Sequence, residues 1–256
     1  MKGDKTMLRR YVRQYRTPSG KVYKLYKNLA ECNHLLIAGA TGSGKSVVLN
    51  GIIHDILMTE SPFNAEFVLI DPKKVELIDY KDLPHTAMYA DDPEKIINSL
   101  SWTLREIDRR YKRMQDKRIK EYDGSVLYII IDELADLMTA MRKESLPLLQ
   151  RIAQIGRAAK VRIIACSQNI LAQTIPTVLK CNFSTVLGLR TATKAQSRFL
   201  ISEGGCELLP DPKRAGVALG YLRDGADLTK YQLYMWSEEE IRKVVNYWKS
   251  PACIAG

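Results

Sequence analysis

The 256-residue sequence lacks the features that mark membrane-spanning and exported proteins. No apolar run approaches the roughly 18 to 20 residues that a transmembrane helix needs. The first ten residues, MKGDKTMLRR, are charged and lack the apolar segment of a signal peptide. We therefore expect a cytoplasmic protein that does not insert into a membrane.

Cysteine and histidine are too scattered for a disulfide framework or a zinc site. The five cysteines form no CxxC pair, and of the three histidines only His34 lies near a cysteine. The sequence also has no internal repeat and no low-complexity linker. These absences favour reduced thiols in a single large domain with short appendages.

The charge is strongly basic, with 39 lysines and arginines against 29 aspartates and glutamates. A net charge of +10 suits a polyanionic partner such as nucleic acid, although many basic proteins bind none. Basic and aromatic residues crowd 1–33, and TPSG at 17–20 is a turn signal. We expect 1–33 to form an arm or short hairpin.

Short apolar runs alternate with helical patterns from His34 onward. The predicted strands are 34–39, 67–71, 126–132, 161–167, 183–189 and 216–221. The predicted helices are 45–58, a long helix after Asp92-Pro93, 146–159 and one that a Ser237–Glu240 capping box opens and that ends near Lys249. The apolar stripe predicted for the long helix is Ile97, Leu100, Leu104, Ile107, Tyr111 and Met114. This alternation predicts an α/β fold, a mostly parallel sheet with helices on both faces, over 34–250, followed by a short tail, 251–256.

Residues Gly39 to Ser46 satisfy the phosphate-binding pattern G-x-x-x-x-G-K-[ST] between a predicted strand and a predicted helix. Glycines let backbone N–H groups surround phosphates, and the helix N-terminus adds positive potential. Lys45 is expected to reach the β- and γ-phosphates of ATP, and Ser46 to ligate Mg²⁺. The expected nucleotide-binding residues are Gly39, Ala40, Thr41, Gly42, Ser43, Gly44, Lys45, Ser46 and Val47.

A second motif has the form of a Walker B, because the apolar run 126–131 ends in Asp132-Glu133. Two carboxylates at the end of a buried strand are costly unless they act on a ligand. Asp132 is expected to hold Mg²⁺ and Glu133 to polarise the attacking water, which indicates hydrolysis. Gln168, after the apolar run 161–167, is either a sensor of the γ-phosphate or a turn residue.

Seven segments, in one collinear order from about Asn33 to Lys249, resemble the motor domain of the FtsK/SpoIIIE family of double-stranded DNA translocases, within the FtsK-HerA superfamily. They are HLLIAGATGSGKSVVLN, FVLIDPKKVELIDYKDLPH, REIDRRYKRM, IIIDELADLM, RIAQIGRAAKVRIIACSQ, TKAQSRFLISEGGCELL and SEEEIRKVV. The resemblance implies a RecA-like P-loop NTPase core that assembles as a ring, usually a hexamer, around duplex DNA.

The resemblance also implies that ATP binds between subunits and that a neighbour supplies an arginine. Arg157, on the flank of the predicted helix 146–159, is the first choice and Arg198 the second. Arg142 and Lys143 match the position of a pore loop and are expected to contact DNA phosphates. A basic cluster on the long helix is expected to be mainly a solvated face: Arg105, Arg109, Arg110, Lys112, Arg113, Lys117, Arg118 and Lys120.

The sequence departs from the family in three respects. The membrane helices, linker and winged-helix domain of larger members do not fit in this length. Asn169 stands where the family often has arginine, and 210–221 is richer in proline and charge. The compact form favours service to a plasmid, phage or conjugative element. The alternatives are a protein-secretion motor ATPase and an ATP-gated DNA-binding accessory protein.

Overall fold

The computed structural model describes residues 12–16, 22–26, 28–215, 218–233 and 236–250. The strands are β1 (Val12–Arg16), β2 (Val22–Tyr26), β3 (His34–Ala38), β4 (Ala65–Ile70), β5 (Thr86–Ala90), β6 (Val126–Ile131), β7 (Val161–Ser167), β8 (Thr185–Gly188), β9 (Ala218–Asp224) and β10 (Asp227–Leu233). The helices are α1 (Lys45–Thr59), α2 (Pro93–Lys117), α3 (Leu134–Ala140), α4 (Arg142–Ile155), α5 (Thr177–Lys180), α6 (Lys194–Ile201), α7 (Pro212–Ala215) and α8 (Glu238–Lys249).

The strands form one sheet in the order β2-β1-β10-β9-β8-β3-β7-β6-β4-β5. The six strands from β8 to β5 are parallel, and β9, β10, β1 and β2 extend the sheet by antiparallel pairing. The predicted α/β class with a mostly parallel sheet is therefore confirmed. The turn predicted at 17–20 and the tail 251–256 lie outside the described residues.

Helices cover both faces of the sheet because the central strands are apolar on both sides. Successive side chains of a strand point to opposite faces, so Leu36 and Ala38 pack in one core and Leu35 and Ile37 in the other. Helices α2, α3 and α4 contribute to the first core, and α1 and α8 to the second. Among the described helices none is long and apolar enough to cross a membrane.

Helix α4 corrects the predicted bounds 146–159. It begins at Arg142, continues through Pro147, and ends at Ile155, where Gly156 is the C-cap. Pro147 removes one intrahelical hydrogen bond, and its ring crowds the carbonyl of Lys143 one turn earlier. As a result Arg157 does not lie on a helix flank but in the turn 156–160 that leads into β7. Arg142 is the first residue of a helix and not part of a loop.

Helix α2 begins as predicted, with the Asp92 side chain accepting a bond from the Lys95 N–H and Pro93 in the first turn. Its buried side is rotated from the predicted stripe, since Ile97, Leu104 and Tyr111 are only partly buried. The buried positions are Ile96, Ser99, Leu100, Thr103, Ile107, Arg110 and Met114. Ile97, Leu104 and Tyr111 still pack against the core, and Leu100, Ile107 and Met114 are buried, so the predicted apolar stripe is confirmed.

Arg110 is the clear exception to the expected solvated basic face, because it is only 1% exposed. Its guanidinium donates to Glu106 at 2.7 Å and to the carbonyl oxygens of Ser125 at 2.8 Å and Ala159 at 2.9 Å. It also lies 4.5 Å from the centre of the Tyr122 ring. An arginine can be buried when its donors are satisfied in this way.

The last third of the chain differs most from the prediction. Strand β8 is four residues long, shorter than the predicted 183–189, and β9 runs further along the chain than the predicted 216–221. Strand β10 was missed because DLTKYQL is mostly polar, and only Tyr231 and Leu233 are buried. The capping box of Ser237 and Glu240 at the start of α8 is confirmed.

Candidate nucleotide-binding site

The phosphate-binding loop connects the carboxyl end of β3 to the first turn of α1, as the sequence predicts. Gly44 is the N-cap of α1 with a φ of 93°, a left-handed conformation that favours glycine. A Cβ on Gly39 would lie 2.5 Å from Ser43 Oγ and 2.7 Å from Leu189 Cβ. The Ala40 N–H donates to the Arg190 carbonyl at 2.8 Å, so the loop is tied to the residues after β8.

A cavity of about 360 Å³ opens above this loop. Its lining residues are Ala40, Thr41, Gly42, Gly44, Lys45, Ser46, Val47, Gln168, Pro212 and Lys213. Gly39 and Ser43, the other two predicted nucleotide-binding residues, are buried beneath the loop. The positive end of α1 and the charge of Lys45 make the cavity suited to an anion.

Asp132 and Glu133 follow β6, and both side chains are buried, 7% and 3% exposed. Strands β3, β7 and β6 are parallel neighbours in the sheet, so their carboxyl ends lie at the same edge. The two carboxylates therefore lie at the same edge as the phosphate loop. Burial, together with the charges of Glu76 and Asp71, raises the pKa of Asp132 to about 6, and the charge of Lys45 acts in the opposite direction. The site is therefore crowded with negative charge.

Glu133 is held by the start of α3 and the end of β7. Its Oε1 accepts hydrogen bonds from Ser167 Oγ at 3.1 Å, from the Gln168 N–H at 3.1 Å and from the Ala135 N–H at 3.3 Å. Its Oε2 accepts a second bond from the Gln168 N–H, at 3.1 Å. The carboxylate is thus fixed in position, while Oε2 keeps a free lone pair.

Gln168 brings the phosphate loop and Glu133 together. Its side-chain oxygen accepts a bond from Thr41 Oγ1 at 3.2 Å, while its backbone N–H contacts Glu133. The side chain therefore reaches the phosphate cavity, which favours the first of the two interpretations that the sequence left open.

Two carboxylates of this site were not predicted. Glu76 Oε1 accepts a hydrogen bond from Ser46 Oγ at 2.8 Å. Asp71, which is fully buried, follows β4 and accepts a bond from the Leu77 N–H at 3.0 Å. Asp71 follows an apolar run just as Asp132 does, so the same signal could have identified it. Glu76 carries no such local signal.

The donor set fits a magnesium ion bound together with nucleotide. Among the described residues no three histidine, cysteine, aspartate or glutamate side chains form a metal site by themselves. Mg²⁺ in nucleotide sites is bound by one or two carboxylates, with phosphates and water supplying the other oxygens. The Ser46 hydroxyl and the Asp132 carboxylate are hard oxygen donors of this kind, in surroundings that are rich in negative charge.

The predicted arginines do not line the phosphate cavity. Arg198 is exposed on α6, and Arg157 is exposed in the turn before β7. Arg157 lines a separate cavity of about 410 Å³ together with Lys120, Lys160 and Arg162. Because Lys160 immediately precedes β7, this basic cavity lies at the amino edge of the parallel strands, opposite the phosphate loop.

The two predicted DNA contacts lie at the start of α4, near the junction with α3. Arg142 Nη1 donates to the Gln173 carbonyl at 3.1 Å, and Lys143 is exposed. Arg142 therefore connects α4 to the segment after Gln168.

Residues 17–128 match the FtsK/SpoIIIE family. The chain is 34% identical to a DNA translocase FtsK of Leptospira interrogans, over 89% of this chain and 25% of the relative. It is 35% identical to a DNA translocase FtsK of Staphylococcus aureus, over 86% of this chain and 30% of the relative. The chain thus spans about a quarter to a third of the length of these relatives.

Solved structures show the same fold. The pCW3 conjugation coupling protein TcpA with ATPγS has a TM-score of 0.74 at 21% identity, over 96% of this chain and 73% of its own. EssC (ATPases 2 and 3) from Geobacillus thermodenitrificans has a TM-score of 0.77 at 16% identity, over 93% and 49%. The type VII secretion ATPase EccC of Thermomonospora curvata has a TM-score of 0.72 at 23% identity, over 94% and 31%. The fold is that of the P-loop NTPases.

Proposed function

The chain belongs to the FtsK/SpoIIIE family, and on this premise we propose that it hydrolyses ATP to drive movement along double-stranded DNA. One observation supports the proposal above the others: the phosphate loop, Asp132, Glu133 and Gln168 meet at one edge of the sheet. The relatives at 34% and 35% identity are DNA translocases.

In the proposed site the loop N–H groups and Lys45 hold the phosphates of ATP. Ser46 and Asp132 would hold Mg²⁺, which supplies positive charge to the γ-phosphate and its leaving group. Lys45 lines the cavity, and the residue as a whole is only 6% exposed.

Glu133 would orient and polarise the attacking water. Its Oε1 is occupied by three donors, whereas Oε2 receives only the Gln168 N–H and has room for a water proton. Gln168, already in contact with Thr41, would position the same water or contact the γ-phosphate. Positioning and electrostatic stabilisation are the main contributions of the protein in phosphoryl transfer.

An arginine from a neighbouring subunit would complete the site. No arginine is among the described residues that line the phosphate cavity, although arginine fingers are common in this chemistry. Arg157 is our first choice, because it is exposed in a basic cavity at the opposite edge of the sheet, where a neighbour could be reached. Arg198 is the second choice. This arrangement requires self-assembly, for which we propose a ring, most simply a hexamer, around DNA.

Arg142 and Lys143 are proposed to contact DNA phosphates. Both are exposed at the start of α4, and the chain carries a net charge of +10. Contacts of this kind are independent of sequence and weaken as salt rises. The process served, for example that of a plasmid, phage or conjugative element, is a further part of the proposal.

The test is the ATPase rate of the purified protein with and without duplex DNA at two salt concentrations, together with the mass in ATP and without it. We expect duplex DNA to raise the rate, less so at high salt, and ATP to favour a larger assembly. No stimulation by DNA would contradict the translocase. Stimulation by a peptide instead would indicate a secretion motor, and tight DNA binding without turnover an accessory protein.

A further inference from the structure

We propose that Glu76 is a positioning residue of the metal site, which accepts a hydrogen bond from the Ser46 hydroxyl and so leaves the lone pairs of that hydroxyl free for Mg²⁺. The inference rests on the proposed nucleotide function and adds a residue to it. Glu76 lies after β4, outside both the phosphate loop and the Asp132-Glu133 pair.

The central observation is the hydrogen bond from Ser46 Oγ to Glu76 Oε1, at 2.8 Å. A serine hydroxyl has one proton and two lone pairs. A hydroxyl can bind a cation only through its lone pairs, so its proton must point elsewhere. Glu76 is the acceptor for this proton. The hydrogen bond is partly buried, and Ser46 directly follows Lys45 in the chain.

The chain holds Glu76 in place from both sides. The Asp71 carboxylate accepts a bond from the Leu77 N–H at 3.0 Å, and the Asp71 carbonyl accepts one from the Lys74 N–H at 3.1 Å. Leu77 is fully buried in the core that contains α1. The turn between Asp71 and Leu77 is therefore closed, and Glu76 extends from it toward the start of α1.

The Glu76 carboxylate borders the phosphate cavity, because it bonds to Ser46, which lines that cavity together with Lys45. A carboxylate so placed increases the attraction for a divalent cation in addition to orienting Ser46. Outer partners of metal ligands typically contribute about 10- to 100-fold to metal affinity.

The opposite role is also testable, because Glu76 could hold Ser46 away from the cation and act as a competitor. The two roles predict opposite signs. If Glu76 positions Ser46, then removing its carboxylate weakens metal binding, and if it competes for Ser46, then removing it strengthens metal binding.

The experiment measures Mn²⁺ binding to the full chain in the presence of a non-hydrolysable ATP analogue, by the electron paramagnetic resonance signal of free Mn²⁺. Glu76→Ala is expected to weaken Mn²⁺ binding by about 10- to 100-fold, and Glu76→Gln, which keeps an acceptor oxygen, by less. Binding of a fluorescent ATP analogue in EDTA should not weaken in either variant, because without the metal the lost carboxylate only repels the phosphates. Asp79→Asn, an exposed carboxylate three residues further on, is the matched control and should bind Mn²⁺ as the wild type does.

A second variant tests that Glu76 acts through Ser46. Adding Glu76→Gln to Ser46→Ala should weaken Mn²⁺ binding less than Glu76→Gln does in the wild type, since the hydroxyl to be positioned is gone and only the loss of charge remains. A fully additive loss, or unchanged or tighter Mn²⁺ binding in Glu76→Ala, would overturn the proposal. If the wild-type chain itself binds no nucleotide, the proposed function fails and this inference fails with it.

Discussion

The two edges of the parallel sheet differ in charge and in chemistry. The carboxyl edge gathers Asp71, Glu76, Asp132 and Glu133 around a single phosphate loop with Lys45. At the amino edge a cavity is lined by four basic residues and one acidic residue: Lys120, Arg157, Lys160 and Arg162 against Glu121. The carboxylates with Lys45 at one edge and Arg157 at the other suit the proposed hydrolysis of ATP, although they do not meet within one subunit.

Distance explains the separation. Strand β7 contains seven residues, which span about 20 Å, and it lies between Arg157 and Gln168. An arginine side chain is much shorter than this, so Arg157 cannot reach the phosphates of its own subunit. If Arg157 acts as proposed, the basic edge of one subunit would have to face the acidic edge of another.

Replacing Lys45 should have the largest effect, because it removes the one lysine within the phosphate loop. Lys45→Ala is expected to abolish detectable binding of a fluorescent ATP analogue, and with it all turnover. An unchanged circular dichroism spectrum would show that the fold is retained. Binding within about tenfold of the wild type would contradict the assignment of the carboxyl edge as the phosphate site.

Replacing Arg157 tests whether the amino edge takes part in catalysis. Arg157→Ala should keep ATP binding and lower the ATPase rate by about 10³-fold or more, as expected for an arginine finger. Mixing this variant with Glu133→Gln should restore activity above either protein alone, because mixed interfaces combine an intact Glu133 with an intact Arg157. Arg198→Ala is the parallel variant, and recovery with it instead would transfer the role to Arg198.

Replacing Glu133 tests the hydrolytic part of the acidic edge. Glu133→Gln keeps the shape and should preserve ATP and DNA binding while turnover falls by about 10²- to 10⁴-fold. Asp136→Asn, a more exposed carboxylate in the first turn of α3 that pairs with Lys73 at 3.3 Å, is the control and should keep most of the rate. Normal turnover of Glu133→Gln would remove Glu133 from the mechanism.

Replacing Arg110 tests whether a basic residue near the amino edge stabilises the fold. Arg110→Ala removes the donors to the Ser125 and Ala159 carbonyls and leaves Glu106 without its buried partner, so we expect a loss of about 3 kcal/mol or more in the free energy of unfolding. Arg109→Ala, whose side chain is 59% exposed, should cost no more than about 1 kcal/mol. Urea unfolding of both variants measures the difference, and equal losses would contradict a structural role specific to Arg110.

The smallest effect is expected for the DNA contacts at the start of α4. Lys143→Ala should weaken duplex binding equally for all sequences and lower the slope of log affinity against log salt by about 1. Arg142→Ala should act similarly and also release the segment that contains Gln173. Lys112→Ala on the exposed side of α2 is the control, and a larger effect there would move the DNA contact to that helix.

Patterns that are local in the chain predicted most of the fold and much of the site. The apolar runs before Gly39 and Asp132 located β3 and β6, and the Asp92 and Ser237 caps located the starts of α2 and α8. These signals depend only on residues that are close in the chain, so they can be recognised without knowledge of the tertiary structure. Strand β10 could not be recognised in this way, because its residues are mostly polar and the strand forms by pairing with β9 and β1.

By itself, the sequence determined the phosphate loop and the Asp132-Glu133 pair, because each motif is complete within a few consecutive residues. Only the tertiary structure decided that Glu76 bonds to Ser46, that Gln168 connects Thr41 to Glu133, that Arg110 is buried, and that Arg157 lies at the opposite edge. These contacts join residues that are distant in the chain. Their partners are fixed by strand order and by the parallel direction of the strands, neither of which is encoded in any single segment.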